Sequence, residues 1–311
     1  MIERKKFGLT KEGKEASIYI LENNNGMHVQ VSDFGALILT IMFPDKNGQI
    51  KDITLGFDEL EDYYNTDTCF VRSHCKMYDA RCGKSREGKY VELRRLSPKY
   101  EQGFPGDLEQ RIRYTLTDNN ELIIDYKMTT NETTVVNPTN HTYFNLNGQD
   151  EGDILQHRLE IYANSFPEID EDFIPTGNIL NVENTPMDFR TKKIIGKQID
   201  YSDIQISRAK GYDHNYVFTN DGKLKKMAKL YCDESGITMI VYSDLCGMQL
   251  YTGNFLDGVV GKGGIRYEEK AGICFETQYY PNACNEDHFP SSVLKAGQVY
   301  KSRTIYELAV S

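Results

Sequence analysis

Residues 18–48 read IYILENNNGMHVQVSDFGALILTIMFPDKNG, and this stretch decides the fold class. A β-branched run from Ile18 meets an Asn/Gly turn at Asn23–Gly26, an alternating strand follows, Gly35 breaks it, and an apolar strand ends at the Pro44–Gly48 turn. Turns this short join antiparallel strands, because a parallel pair needs a crossover of about a dozen residues or more. The pattern recurs downstream. Ile112–Thr117, the turn Asp118–Asn120 and Leu122–Thr129 read as a hairpin, and Leu224–Tyr231, Ile237–Ser243 and Met248–Thr252 read as further strands. The best helical candidate is the acidic stretch Asp58–Tyr64, and Asp150–Asp203, punctuated by Pro167, Pro175, Gly177 and Pro186, reads as the most loop-rich region. The expectation is an all-β chain, a large antiparallel sandwich or barrel, with residues 1–311 as one domain.

Composition narrows the partners. The formal charge of −10 repels polyanions, and the basic residues are scattered along the chain, so neither nucleic acid nor an anionic membrane is expected as a partner. The start, MIERKKFGLTKEG, has no apolar run behind its basic residues, and a cytoplasmic protein is expected. The 7 cysteines are an odd number without CxxC spacing, which favours free thiols over a disulfide framework or a zinc knuckle. Cys69, His74, Cys75 and Cys82 cluster, but their spacing matches no familiar metal site. With no Trp against 21 Tyr and 14 Phe, any sugar bound here is held by Tyr, Phe or hydrogen bonds.

Three separated stretches carry residues capable of acid/base chemistry. NPTNHTYFNLNG, Asn137–Gly148, places His141 among β-formers in a pattern that suits a strand ending in a turn. GYDHNYVF holds Asp213 and His214, and AGICFETQYYPN holds Glu276 and Gln278. Each also has a plain structural reading: His141 as a core histidine bonded to an amide, Asp213 as an Asx turn, Glu276 as a solvent-facing strand residue. His214 reads as a packing neighbour. If Glu276 is instead on the buried side of its strand, its carboxylate must be paired or hydrogen-bonded.

In order along the chain, GMHVQVSDFGALILTIMFPDKNGQIKDITLGFDELEDYY, NPTNHTYFNLNG, FIPTGNI, TPMDFR, IGKQID, GYDHNYVF, YTGNFLDG and ETQYYPNACNEDHFPSSVLKAGQVYKSRTIY resemble the aldose 1-epimerases, or galactose mutarotases. The resemblance covers nearly the whole chain. It implies a single β-supersandwich that holds one monosaccharide on an open face and uses no metal or organic cofactor. It places the family's base on Glu276 and its acid on His141, and assigns the sugar hydroxyls to Asp213, Gln278 and, as the best match for the family's arginine, Arg81. In mutarotation a carboxylate takes the proton of the C1 hydroxyl while an imidazolium protonates the ring oxygen, the two groups lying on opposite sides of the sugar. The mutual attraction of carboxylate and imidazolium is expected to favour that charge state. A monomer or weak homodimer is the expected assembly.

The chain departs from the family between Leu93 and Ser97, where an LHGG-type segment with a further substrate-binding histidine is missing; His74 is the candidate to replace it. Asn282 also stands where the family often has Asp. The departures leave two competing readings: a carbohydrate-binding relative without efficient turnover, and a hexose-6-phosphate 1-epimerase using Arg72, Arg81, Arg86, Arg94 and Arg95.

Overall fold

The structure is a computed structural model that describes residues 2–65 and 75–311. Its first sheet is the meander read from the opening stretch: β1 (Glu3–Leu9), β2 (Glu15–Glu22), β3 (His28–Ser32), β4 (Ile38–Pro44) and β5 (Ile50–Asp52), all antiparallel in sequence order. Its turns use the chemistry that the residues promised. Asn23 Oδ1 accepts the N–H groups of Asn25 and Met27, Asp45 Oδ1 accepts those of Asn47 and Gln49, and Gly26 and Gly48 take the positive φ that closes each turn. The alternate residues Met27, Val29, Val31, Ile41 and Phe43 are buried.

After the short helix α1 (Asp62–Asn65) come β6 (Asp79–Lys84), β7 (Lys89–Ser97), β8 (Leu108–Leu116), β9 (Glu121–Thr130) and β10 (Thr134–Val135). Next are β11 (Arg158–Ile161), β12 (Ser165–Ile169), β13 (Pro175–Asn181), β14 (Lys193–Ile194), α2 (Ile195–Gln198) and α3 (Ile204–Ala209). The chain closes with β15 (Asp213–Val217), β16 (Lys225–Tyr231), β17 (Ile237–Ser243), β18 (Gly247–Tyr251), β19 (Val259–Val260), β20 (Arg266–Tyr267), β21 (Cys274–Gln278), β22 (Val293–Leu294) and β23 (Val299–Val310). A nine-stranded sheet runs β14-β11-β16-β17-β23-β9-β8-β7-β6, and a separate three-stranded sheet runs β15-β18-β21.

The nine-stranded sheet has two unlike faces. Paired residues share a face, so Val91, Tyr114, Ile124 and Thr304 line the inner side, while Arg81, Glu92, Arg113, Asp125 and Arg303 form a ladder of alternating charge on the outer side. Glu92 is buried within that ladder, where Arg94 and Arg113 (2.6 Å to its Oε2) hold its carboxyl below the usual range against the cost of burial.

Two expectations need correction. The helix predicted over Asp58–Tyr64 is confined to Asp62–Asn65, preceded by turns. The region Asp150–Asp203, read as the most loop-rich, carries β11, the β12–β13 hairpin, β14 and α2 between its turns. And His141 is not on a strand: within Asn137–Gly148 only Phe144 makes isolated bridges, to Thr54 and Ile273. Pro138 has no N–H to give a ladder, and Asn140 Oδ1 accepts the Thr142 N–H at 3.3 Å, a local bond that competes with strand pairing. The shortened Leu93–Ser97 region lies inside β7, which pairs with β8 along its whole length.

Candidate active site

Strand alternation sorts the three-stranded sheet into two faces. The register puts Asp213, Tyr251 and Cys274 in one row, Asn215, Gln249 and Glu276 in the next, and Val217, Gly247 and Gln278 in a third. The opposite face carries His214, Tyr216, Met248, Leu250, Phe275 and Thr277, all buried. That face packs on the inner side of the nine-stranded sheet: Tyr306 donates its O–H to the Phe275 carbonyl at 3.1 Å, and the hydroxyls of Thr277 and Thr304 are hydrogen-bonded. Glu276 therefore points away from the nine-stranded sheet, yet it is itself only 8% exposed.

The Asn137–Gly148 segment runs antiparallel to β21 and is fixed to its flanks at both ends. Asn137 exchanges two hydrogen bonds with Tyr279, from its Nδ2 to the carbonyl (3.0 Å) and from the Tyr279 N–H to its Oδ1 (2.8 Å). Phe144 exchanges two with Ile273, at 2.8 and 2.9 Å. Asn145 Nδ2 reaches the Ala271 carbonyl, and His157 Nε2 accepts the Leu146 N–H at 3.1 Å. With its ends set, the bowed middle delivers His141 to the Glu276 face. Imidazole Nε2 lies 3.5 Å from Glu276 Oε1, Nδ1 lies 3.4 Å from Cys274 Sγ, and the ring packs against Tyr143 and Tyr251 at centroid distances of 5.0 and 5.8 Å.

Asp213 occupies the neighbouring row and accepts a hydrogen bond from Gln249 Nε2 at 2.7 Å. Burial pushes its carboxyl up to about 6, with the Gln249 bond and His141 pulling down and Glu276 pushing further up. The His141 imidazole moves the other way, lowered by burial while its own backbone carbonyl and Asp213 pull it back up. Burial thus works against the expected imidazolium, while Asp213 works in its favour. Two carboxyl groups and one imidazole share a buried cleft, an arrangement fitted to moving protons.

The structure brings His141, Glu276 and Asp213 together, and Gln278 lies on the same face, one row beyond Glu276. Arg81 is not brought there. It is exposed on edge strand β6, opposite Glu92 on the outer side of the nine-stranded sheet. His74, Cys69 and Arg72 lie outside the described residues. His214 is a packing residue, as read: its Nδ1 accepts the Asp213 N–H at 3.1 Å and Phe166 meets its ring edge-on. Asn282 adopts φ 62°, which Asn tolerates, and donates to the Pro175 carbonyl, so it serves the turn that follows β21.

Sequence reasoning missed Gln249 and Asn215. Both lie in the Glu276 row, and the buried oxygens Gln249 Oε1 and Asn215 Oδ1 have no hydrogen-bond partner among the described residues. Alternation along β18 put Gln249 on the Tyr251 side, but which strand it faced was not a local property. The described cysteines are all free thiols, and among the described residues no cluster of three or more His, Cys, Asp and Glu side chains could hold a metal ion. Nor is any helix among them long and apolar enough to cross a membrane.

Comparison with known proteins gives the family and the fold. The aldose 1-epimerase family model matches residues 17–75 and 81–307. The chain is 34% identical to the galactose mutarotase of Bos taurus, with 92% of each chain covered, and 30% identical to the aldose 1-epimerase of Escherichia coli K12, covering 96% of this chain and 97% of that one. Among solved structures, it superposes on a galactose 1-epimerase from Lactobacillus acidophilus with a TM-score of 0.86 at 22% identity, covering 100% of this chain and 99% of that one. A GalM/aldose epimerase homologue from C. elegans gives 0.85 at 24%, covering 95% and 99%. The large antiparallel β-supersandwich is therefore the fold of the galactose mutarotases.

Proposed function

Because the chain belongs to the aldose 1-epimerase family, we propose that it interconverts the α and β anomers of a free aldose, galactose or glucose, with Glu276 as base and His141 as acid. The observation that carries this reading is the 3.5 Å approach of His141 Nε2 to Glu276 Oε1 on a face shared with Asp213 and Gln249. O1 and the ring oxygen are bonded to the same carbon of the sugar. Two groups this close can address both oxygens from one side, so the pair need not flank the whole ring.

Glu276 takes the proton of the C1 hydroxyl as Nε2 of the imidazolium protonates the ring oxygen. The C1–O5 bond breaks, C1 becomes an aldehyde, and rotation about C1–C2 presents the other face of the carbonyl. His141 then recovers the ring-oxygen proton while Glu276 returns its own to O1, and the ring closes as the other anomer. The scheme moves only protons and uses no metal or organic cofactor. Asp213 and Gln249, with Gln278 beyond Glu276, receive the sugar hydroxyls; the Gln249 oxygen, which has no partner among the described residues, supports an acceptor role. One large hydrophobic cluster, from Tyr19 to Leu308, supports reading residues 1–311 as one domain.

The test is polarimetric. Freshly dissolved α-galactose or α-glucose is followed with the wild-type protein, Glu276→Gln and His141→Asn. Acceleration by the wild type and its loss in both variants is expected. A wild-type rate equal to buffer, with saturable sugar binding by calorimetry, would instead favour the binding relative that the shortened β7 region suggested.

A further inference from the structure

Cys274 shares a row with Asp213 and a face with Glu276, and it is fully buried with its sulfur 3.4 Å from the nitrogen of His141 that does not face Glu276. The mechanism gives this thiol no proton to move. From that geometry we infer that Cys274 is a positioning residue for His141: its sulfur holds Nδ1 so that Nε2 stays aimed at the sugar in every protonation state of the ring.

The inference rests on His141 being the acid, and the chemistry of a thiol suits the task. During turnover the proton on Nε2 comes and goes while the one on Nδ1 must stay, and a sulfur lone pair can accept that N–H. In the neutral ring, an S–H can donate to a bare Nδ1 and leave the hydrogen on Nε2, directed at the Glu276 carboxylate. The reverse tautomer would set the Nε2 lone pair against that carboxylate 3.5 Å away. The ring's own backbone carbonyl, which only accepts, cannot hold a bare nitrogen. Burial, with Glu276 and Asp213 close by, keeps the thiol protonated and able to play both parts. A carboxylate in its place would draw the imidazole toward a fixed charge and weaken it as an acid.

Cys274→Ala removes the contact, and Cys274→Ser restores a group that can both donate and accept. Expected for Cys274→Ala is a fall in kcat of about tenfold to a hundredfold, as for a small misplacement of a reacting group, with KM within about twofold. Cys274→Ser should recover most of the loss. In 15N spectra of the sugar-free protein, the His141 Nδ1 resonance should move in Cys274→Ala and return toward wild type in Cys274→Ser. The inference is overturned if Cys274→Ala keeps its kcat, or if Cys274→Ser falls as far as Cys274→Ala. It is equally overturned if the Nδ1 resonance is the same in wild type and Cys274→Ser but insensitive to loss of the sulfur, a comparison that stands even where Cys274→Ala folds poorly and Cys274→Val takes its place. Should His141→Asn retain full turnover, the catalytic reading fails, while the spectra still judge the contact.

Discussion

The two faces of the β15-β18-β21 sheet are made of alternate residues of the same strands, yet they do opposite work. On one, His214, Tyr216, Met248, Leu250, Phe275 and Thr277 are buried in the packed interior. On the other, Asp213, Asn215, Gln249, Cys274 and Glu276 share the face that His141 meets through Glu276 and Cys274. Adjacent residues show the contrast most sharply. Asp213 and His214 are neighbours in sequence, and burial disfavours the charged form of both, raising the acid to about 6 and lowering the base to about 3. Desolvation alone therefore does not mark a catalytic group; a second titratable group within reach does.

Breaking the reactive face should cost the most. Glu276→Gln and His141→Asn are each expected to lower the polarimetric rate by about a hundredfold to ten-thousandfold, with unfolding midpoints close to wild type. The packed face should answer in the opposite currency of stability: Phe275→Ala, at a fully buried site, should lose about 3–5 kcal/mol in urea unfolding, while the molecules that remain folded keep their turnover.

The pH response separates the faces next. Asp213 binds its proton more tightly folded than unfolded, so its contribution is full below pH 3.8 and is lost as pH rises through about 6, a change of about 3 kcal/mol. His214 binds its proton less tightly when folded, so its contribution is full above pH 6.5 and is lost as pH falls toward about 3. Measured by urea unfolding between pH 4 and pH 6, Asp213→Asn should make stability rise more steeply with pH than wild type, and His214→Asn less steeply. The smallest effect belongs to the far side of the molecule. Arg81→Ala, on the outer face of β6, should leave kcat and KM within about twofold, and a large rise in KM would place the guanidinium at the sugar after all.

What the sequence made legible was local. The meander could be read because Asn23, Gly26, Asp45 and Gly48 close their turns with their own side chains or backbone freedom. Glu276 could be read as conspicuous because a carboxylate amid Cys274, Phe275 and Tyr279 invites a partner. The β12–β13 hairpin stayed hidden because Pro167, Pro175 and Gly177 look like loop residues, although a short two-stranded edge tolerates them. Helix α3 had a readable cap, since Asp203 accepts from the Gln205 and Ile206 N–H groups, but the preceding turn residues masked it. Arg81 was matched by position in the chain, whereas its face was decided by pairing with Glu92. Register is a non-local quantity, and Gln249 was missed for the same reason.

The bowed segment that carries His141 has a thermal consequence. It is secured near Asn137 and again at Phe144 and Asn145, with no strand pairing between, so its opening requires far fewer bonds to break than melting β21. Amides between the anchors should exchange with deuterium ahead of those of β21. On heating, His141 is expected to swing out while the sheets are still intact, and with His141 as the proposed acid, polarimetric turnover should fail some degrees before the protein unfolds.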